Sequence, residues 1–116
     1  MAQRVNGWGS DFVGSSGLSS VGAVVGATYP QQATRARALM PSAIVLAPGF
    51  GAQGASAADA VRAARADGTG VVVNASRTLM YAYLKRPGLT PAGAAAVAAE
   101  AMKTELNAAL NSRGVS

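Results

Sequence analysis

Two short segments of this 116-residue chain hold residues whose types and spacing could do chemistry. The first is Pro48-Gly49-Phe50-Gly51-Ala52-Gln53-Gly54, a Gly-x-Gly-x-x-Gly match between the apolar run Ala43-Ile44-Val45-Leu46-Ala47 and a capped helix start. Glycines let backbone amides come close to a phosphate, and a helix N-terminus adds partial positive charge, so the pattern taken alone is a dinucleotide fingerprint. The second is Asn74-Ala75-Ser76-Arg77, which sets a guanidinium and a fresh group of unpaired amides just after another apolar run. Two features weigh against a dinucleotide: Asn74 stands where a ribose-binding Asp or Glu belongs, and the glycine loop follows the second apolar run rather than the first. Two plainer alternatives stay open, a tight turn that needs glycine only for its backbone angles and a surface arginine at position 77.

Composition narrows the chemistry further. The chain has no cysteine and no histidine, which excludes disulfide frameworks, zinc ribbons, thiol catalysis and serine–histidine or cysteine–histidine hydrolysis. Ten basic residues against five acidic ones give a net charge of +5. Arg35/Arg37, Arg62/Arg65, Lys85/Arg86, Lys103 and Arg113 are scattered in ones and twos without aromatic interleaving, so they read as solvated helix faces, and no nucleic-acid partner is expected. No apolar run approaches the roughly 18 residues of a membrane span, and Met1 to Gly7 lacks the apolar stretch of a secretory signal. The expectation is a cytoplasmic protein with no membrane partner.

The elements that must position the two segments are legible from periodicity. Val21 to Ala27, Ala43 to Ala47 and Gly70 to Asn74 are β-branched-rich runs bounded by Gly, Pro or Asn, and they read as buried strands. Their continuous apolarity predicts a parallel sheet covered on both faces. Between the first two lies a crossover helix, Gln31 to Met40, with Thr28 as polar cap, Pro30 in the first turn and Ala33, Ala36 and Met40 inward. Ser56-Ala57-Ala58-Asp59 has the form of a capping box, opening a helix with Ala57, Ala60, Val61 and Ala64 inside and Gly68 as its left-handed stop. Ser76 to Leu84 reads as a short helix, Lys85-Arg86-Pro87-Gly88 as a break, and Thr90-Pro91 as the start of a long helix striped with Ala94, Ala98, Met102, Leu106 and Leu110. Residues 1–20 form a helix remnant, Gln3 to Phe12, and a loop; residues 21–116 form the βα units.

In parallel sheets the carboxyl ends of neighbouring strands lie side by side, so the 48–54 loop and Ser76-Arg77 should flank one spot. Two small-residue helix starts plus one guanidinium make a phosphate cradle. In a (β/α)₈ barrel such a site follows strands seven and eight, with a short extra helix like the one after the third run here. A bidentate arginine–phosphate pair is worth roughly 1.5–3 kcal/mol.

The same residues carry a family resemblance. Val21 to Thr28, Leu39-Met40-Pro41, the 48–54 loop and Asn74-Ala75-Ser76-Arg77 resemble consecutive motifs of orotidine 5′-phosphate decarboxylase, in particular the bacterial branch often called type 2. The resemblance runs from about Trp8 into the last helix. It implies an α/β fold made of the last three βα units of a TIM (β/α)₈ barrel. It also implies loss of CO₂ from orotidine 5′-phosphate to give UMP, with no cofactor and no metal. Carried over by motif, Gln53 and Arg77 hold the 5′-phosphate, Gly51, Gly54 and Ser76 add backbone amides, and Pro48 lies near the pyrimidine. Ala55, Ala75 and Thr78 depart from the commonest family pattern.

The resemblance also says what is missing. The family's chemistry needs a lysine flanked by aspartates on early strands, whereas Lys85 and Lys103 both follow the last strand, and Asp11, Asp59 and Asp67 end none. No catalytic residue is therefore assigned to this chain. A barrel of this type takes about 250 residues, and three strands alone leave two unpaired edges and an uncovered inner face. The expected partners are the substrate or product nucleotide and either the missing N-terminal half of the barrel or further copies of the chain. The alternative from another class is a non-catalytic phosphate- or nucleotide-binding α/β module.

Overall fold

The three β-branched runs pair side by side as predicted. In the computed structural model, which describes residues 1–51 and 54–113, they form one parallel sheet in the order β1 (Ala23–Val24), β2 (Val45–Pro48), β3 (Val71–Asn74). Val24 pairs with Leu46 and Leu46 with Val72, and at the carboxyl end Pro48 stands opposite Asn74. Beyond β1 the main chain stays in step, since the Val25 amide donates to Leu46 (2.9 Å) and the Ala27 amide to Pro48 (2.8 Å).

Five helices accompany the strands among the described residues: α1 (Ala2–Gly9), α2 (Pro30–Leu39), α3 (Ala57–Ala60), α4 (Ser76–Met80) and α5 (Pro91–Ser112). Helix α2 starts at Pro30 with Tyr29 at its cap position and no side-chain cap bond, so Thr28 does not serve as the cap. The capping box before α3 forms, with the Asp59 amide donating to Ser56 Oγ (3.1 Å) and the Ser56 amide to Asp59 Oδ2 (3.2 Å). That helix is shorter than its sequence predicts. After Ala60 the chain tightens into a 3₁₀ turn, Val61–Ala63, and then runs extended at Ala64.

The reason lies in distant arginines. Arg37 Nε donates to the Ala63 carbonyl (2.6 Å), and Arg113 Nη1 to that of Val61 (2.6 Å), satisfying acceptors that a continued helix would have filled with its own amides. Gly68 does take a positive φ of 84°, but it closes a turn back to Arg65 rather than the helix. Helix α4 likewise passes into a 3₁₀ turn, Ala82–Lys85.

The reading of the basic residues as solvated faces fails for three of them. Arg37 also donates to Met40 and Gly70 carbonyls (both 2.8 Å), fastening the end of α2 to the entrance of β3. Arg65 reaches the Ser16 carbonyl (3.4 Å), and Arg113 ties the end of α5 to the turn after α3. Burial, and after it the neighbouring Arg65 charge, lowers the Arg37 pKa from its ordinary value.

The helices cover one face of the sheet only. Val45 and Ala47 are buried beneath them, in two small-residue cores that also draw on Ala33 of α2, Met40 just after it, Ala60 of α3 and, at their margin, Met102 and Leu106 of α5. The opposite face is bare: Val24 is 67% exposed, Val72 54%, Ile44 40% and Leu46 36%. Cover on both faces, expected from the unbroken apolarity of the strands, is therefore absent among the described residues. Unbroken apolarity makes both faces able to be buried, but it does not supply the layer that buries them.

Candidate functional site

The two chemistry-bearing segments emerge at the same end of neighbouring strands, because β2 and β3 are parallel and Pro48 is in register with Asn74. The β2 loop turns sharply. Gly49, Gly51 and Gly54 all have positive φ (106°, 78° and 89°), which explains their spacing on backbone grounds. The Gly51 amide donates to the Ala55 carbonyl (3.1 Å) and the Gly54 amide to that of Gly51 (2.9 Å), while Phe50 bridges Ala55. Those two amides, expected to reach toward phosphate, are thus occupied in closing the turn. Gln53 lies outside the described residues.

The turn rests on the first residues after β3. A Cβ placed on Gly51 would lie 2.9 Å from Thr78 Oγ1, so the glycine loop and the start of α4 are in van der Waals contact. Gly51 and Arg77 consequently line one open cleft of ≈ 820 Å³, whose apolar wall includes Phe50, Leu84 and Met102. Ser76, Gly54 and Pro48 do not line this cleft. Ser76 Oγ instead accepts from Asn74 Nδ2 (3.3 Å), and Pro48 is half-buried at the carboxyl end of β2, on the same face as exposed Leu46.

Two residues that the sequence reading left out of the site line the cleft with Arg77. Lys85 and Arg86 follow it on the 3₁₀ turn and its exit, so three cations and Glu105 of α5 line the same space. Their signal in the sequence is the basic pair shortly after Arg77, which by itself reads as solvated charge at a break between helices. The other candidate proton donors stay apart. Lys103 is exposed on α5, Asp59 caps α3, Asp67 is in the turn before β3, and Asp11 is in the 3₁₀ turn after α1. None stands at the carboxyl end of a strand. No helix among the described residues is long and apolar enough to cross a membrane.

Comparison with known proteins gives a consistent picture. No protein-family model matches the chain. The orotidine 5′-phosphate decarboxylase of Deinococcus radiodurans is 51% identical to it over 98 residues, covering 84% of the chain and 34% of that protein. The enzyme of the same name from Caldicellulosiruptor bescii is 36% identical over 111 residues, covering 96% of the chain and 36% of its own length. Among solved structures, Leishmania donovani UMP synthase matches at a TM-score of 0.60 and 41% identity over 77% of this chain and 18% of that one. An orotidine-monophosphate decarboxylase from Toxoplasma gondii matches at a TM-score of 0.68 and 25% identity over 96% of this chain and 42% of its own. The chain spans only 34% and 36% of the two curated relatives. None of these four is a free-standing nucleotide-binding module. With three parallel βα units, a glycine turn packed against the residue after an arginine, and this identity to named enzymes, the chain belongs over its length to the orotidine 5′-phosphate decarboxylase family and forms part of its (β/α)₈ barrel.

Proposed function

We propose that this chain is the last three βα units of an orotidine 5′-phosphate decarboxylase and holds the 5′-phosphate of its substrate, with the decarboxylation itself depending on residues supplied from elsewhere. The observation that carries this reading is the contact of the Gly51 turn with Thr78, which sets Arg77 beside the β2 loop at the carboxyl end of the sheet. Arg77 provides the charge, as the group best shaped to take two phosphate oxygens at once. Gln53 adds an amide donor from the same loop, and Ser76 a hydroxyl and the unpaired amide that opens α4. Gly51 and Gly54 act through the shape of the turn, and Pro48 borders the pyrimidine at the mouth. The lysine that protonates the C6 carbanion and the aspartate that crowds the departing carboxylate lie outside this chain. As a pyrimidine-nucleotide enzyme without a cofactor, it would work in the cytoplasm.

Titration of the chain with UMP by calorimetry tests the site. Removing the guanidinium in Arg77→Ala should weaken binding about ten- to a hundredfold, the equivalent of losing roughly 1.5–3 kcal/mol. Equal affinity in the variant, or no UMP binding by the unaltered chain, would remove Arg77 from the site. The chain alone should form no UMP from orotidine 5′-phosphate, and turnover by it would overturn the assignment of the lysine and aspartate to other residues.

A further inference from the structure

We infer that the bare face of the sheet is a docking surface for a polypeptide carrying the remaining βα units of a decarboxylase barrel, and that the two can assemble without a covalent link. The inference rests on the family reading above, but on a different surface of the molecule. Val24, Leu46 and Val72 form one row across the three strands because they are register partners, and Ile44 lies two residues before Leu46 on the same face. All four are exposed, at 67%, 36%, 54% and 40% in that order. A contiguous β-branched and leucine surface of this kind marks an interaction site rather than a solvent face.

Among the described residues the sheet also ends on both sides with a strand that has a single neighbour, β1 and β3, and an unpaired parallel edge is a template for another strand. Strand number decides the occupant. A second copy of the chain would bring the total to six strands, whereas a barrel of this type closes with eight. Five further strands close the ring, and the unmatched majority of relatives, of which this chain spans 34–36%, has the length to supply them. The site points the same way: Pro48 and Asn74 continue the bare face to the carboxyl end, where no lysine or aspartate of this chain stands. An incoming set of strands would bring its own end residues to that mouth.

The probe is the part of the Deinococcus radiodurans decarboxylase that this chain does not match. It is refolded together with the full chain from denaturant, under conditions in which the intact Deinococcus enzyme regains activity. Sedimentation should show a one-to-one complex. Leu46→Asp and Val72→Lys, which place a charge in what would become the interior, should weaken assembly more than tenfold while leaving the circular dichroism of the isolated chain unchanged. Arg77→Ala should assemble normally whatever it does to UMP binding, so failure of the docking surface and failure of the phosphate site are told apart. Absence of a complex, a complex indifferent to both charged variants, or self-association of the chain that persists in the presence of the probe would overturn the inference.

Discussion

Gly51 and Thr78 touch across the carboxyl end of the sheet: at φ 78° the glycine presents its bare Cα to the threonine hydroxyl, with room for no Cβ between them. The contact joins a loop after one strand to the helix after the next, beyond the ladder pair Pro48 and Asn74.

Gly51 and Gly54 form a matched pair for measuring it. Both have positive φ, but a Cβ on Gly54 would meet nothing within 4 Å. Gly54→Ala should therefore cost only the backbone strain, about 1 kcal/mol, and Gly51→Ala about 2–3 kcal/mol. Thr78→Gly in the Gly51→Ala background should recover the difference. Urea midpoints of the four proteins check this, and equal costs at positions 51 and 54 would show that the contact carries no energy.

Arg37 holds four carbonyls from three places in the chain together, those of Ala63, Met40, Pro41 and Gly70. Arg37→Ala should destabilise the chain by about 2–4 kcal/mol, because buried acceptors lose a charged donor. Arg37→Lys should recover less than half of that, since one ammonium cannot span the same fork. Thermal unfolding distinguishes the two outcomes.

Ser56 closes a reciprocal cap with Asp59 over a helix of only four residues. Ser56→Ala should cost about 1 kcal/mol, and Ser56→Asn a few tenths, read from denaturant unfolding. An equal loss for both would mean that the hydroxyl has no capping role.

Asp67 accepts from the Thr69 hydroxyl (2.6 Å) and from the Thr69 amide (3.0 Å), and these bonds hold its carboxyl below the ordinary aspartate value. A carboxyl depressed on folding adds stability above its unfolded pKa of about 3.9, and that stability is lost as the pH falls through the lower folded value. Thr69→Val, which removes the first and larger cause, should raise the Asp67 pKa toward the ordinary value in an NMR titration of the carboxyl carbon. An unmoved titration would show that the hydroxyl has no part in the shift and leave it to the Thr69 amide and the Arg65 charge.

The local features of the chain were legible in its residues. Three strands, the capping box at Ser56, the Thr90 cap that accepts from the Gly93 amide and the inward stripe of α5 all follow from side-chain period and short-range hydrogen bonding, which act within a few residues. The neighbouring carboxyl ends of β2 and β3 also followed, because parallel pairing leaves little other choice. What only the tertiary structure decided is which partner each group finds. Arg37 lies 26 residues from Ala63, and Arg113 lies 52 from Val61, so nothing local could reveal that these guanidiniums would cut α3 short. The same holds for the Gly51 and Gly54 amides, which the folded turn takes for itself, and for the bare row of Val24, Leu46 and Val72. An apolar residue states that it can be buried; whether anything in the chain arrives to bury it depends on how many strands and helices there are to fill the space.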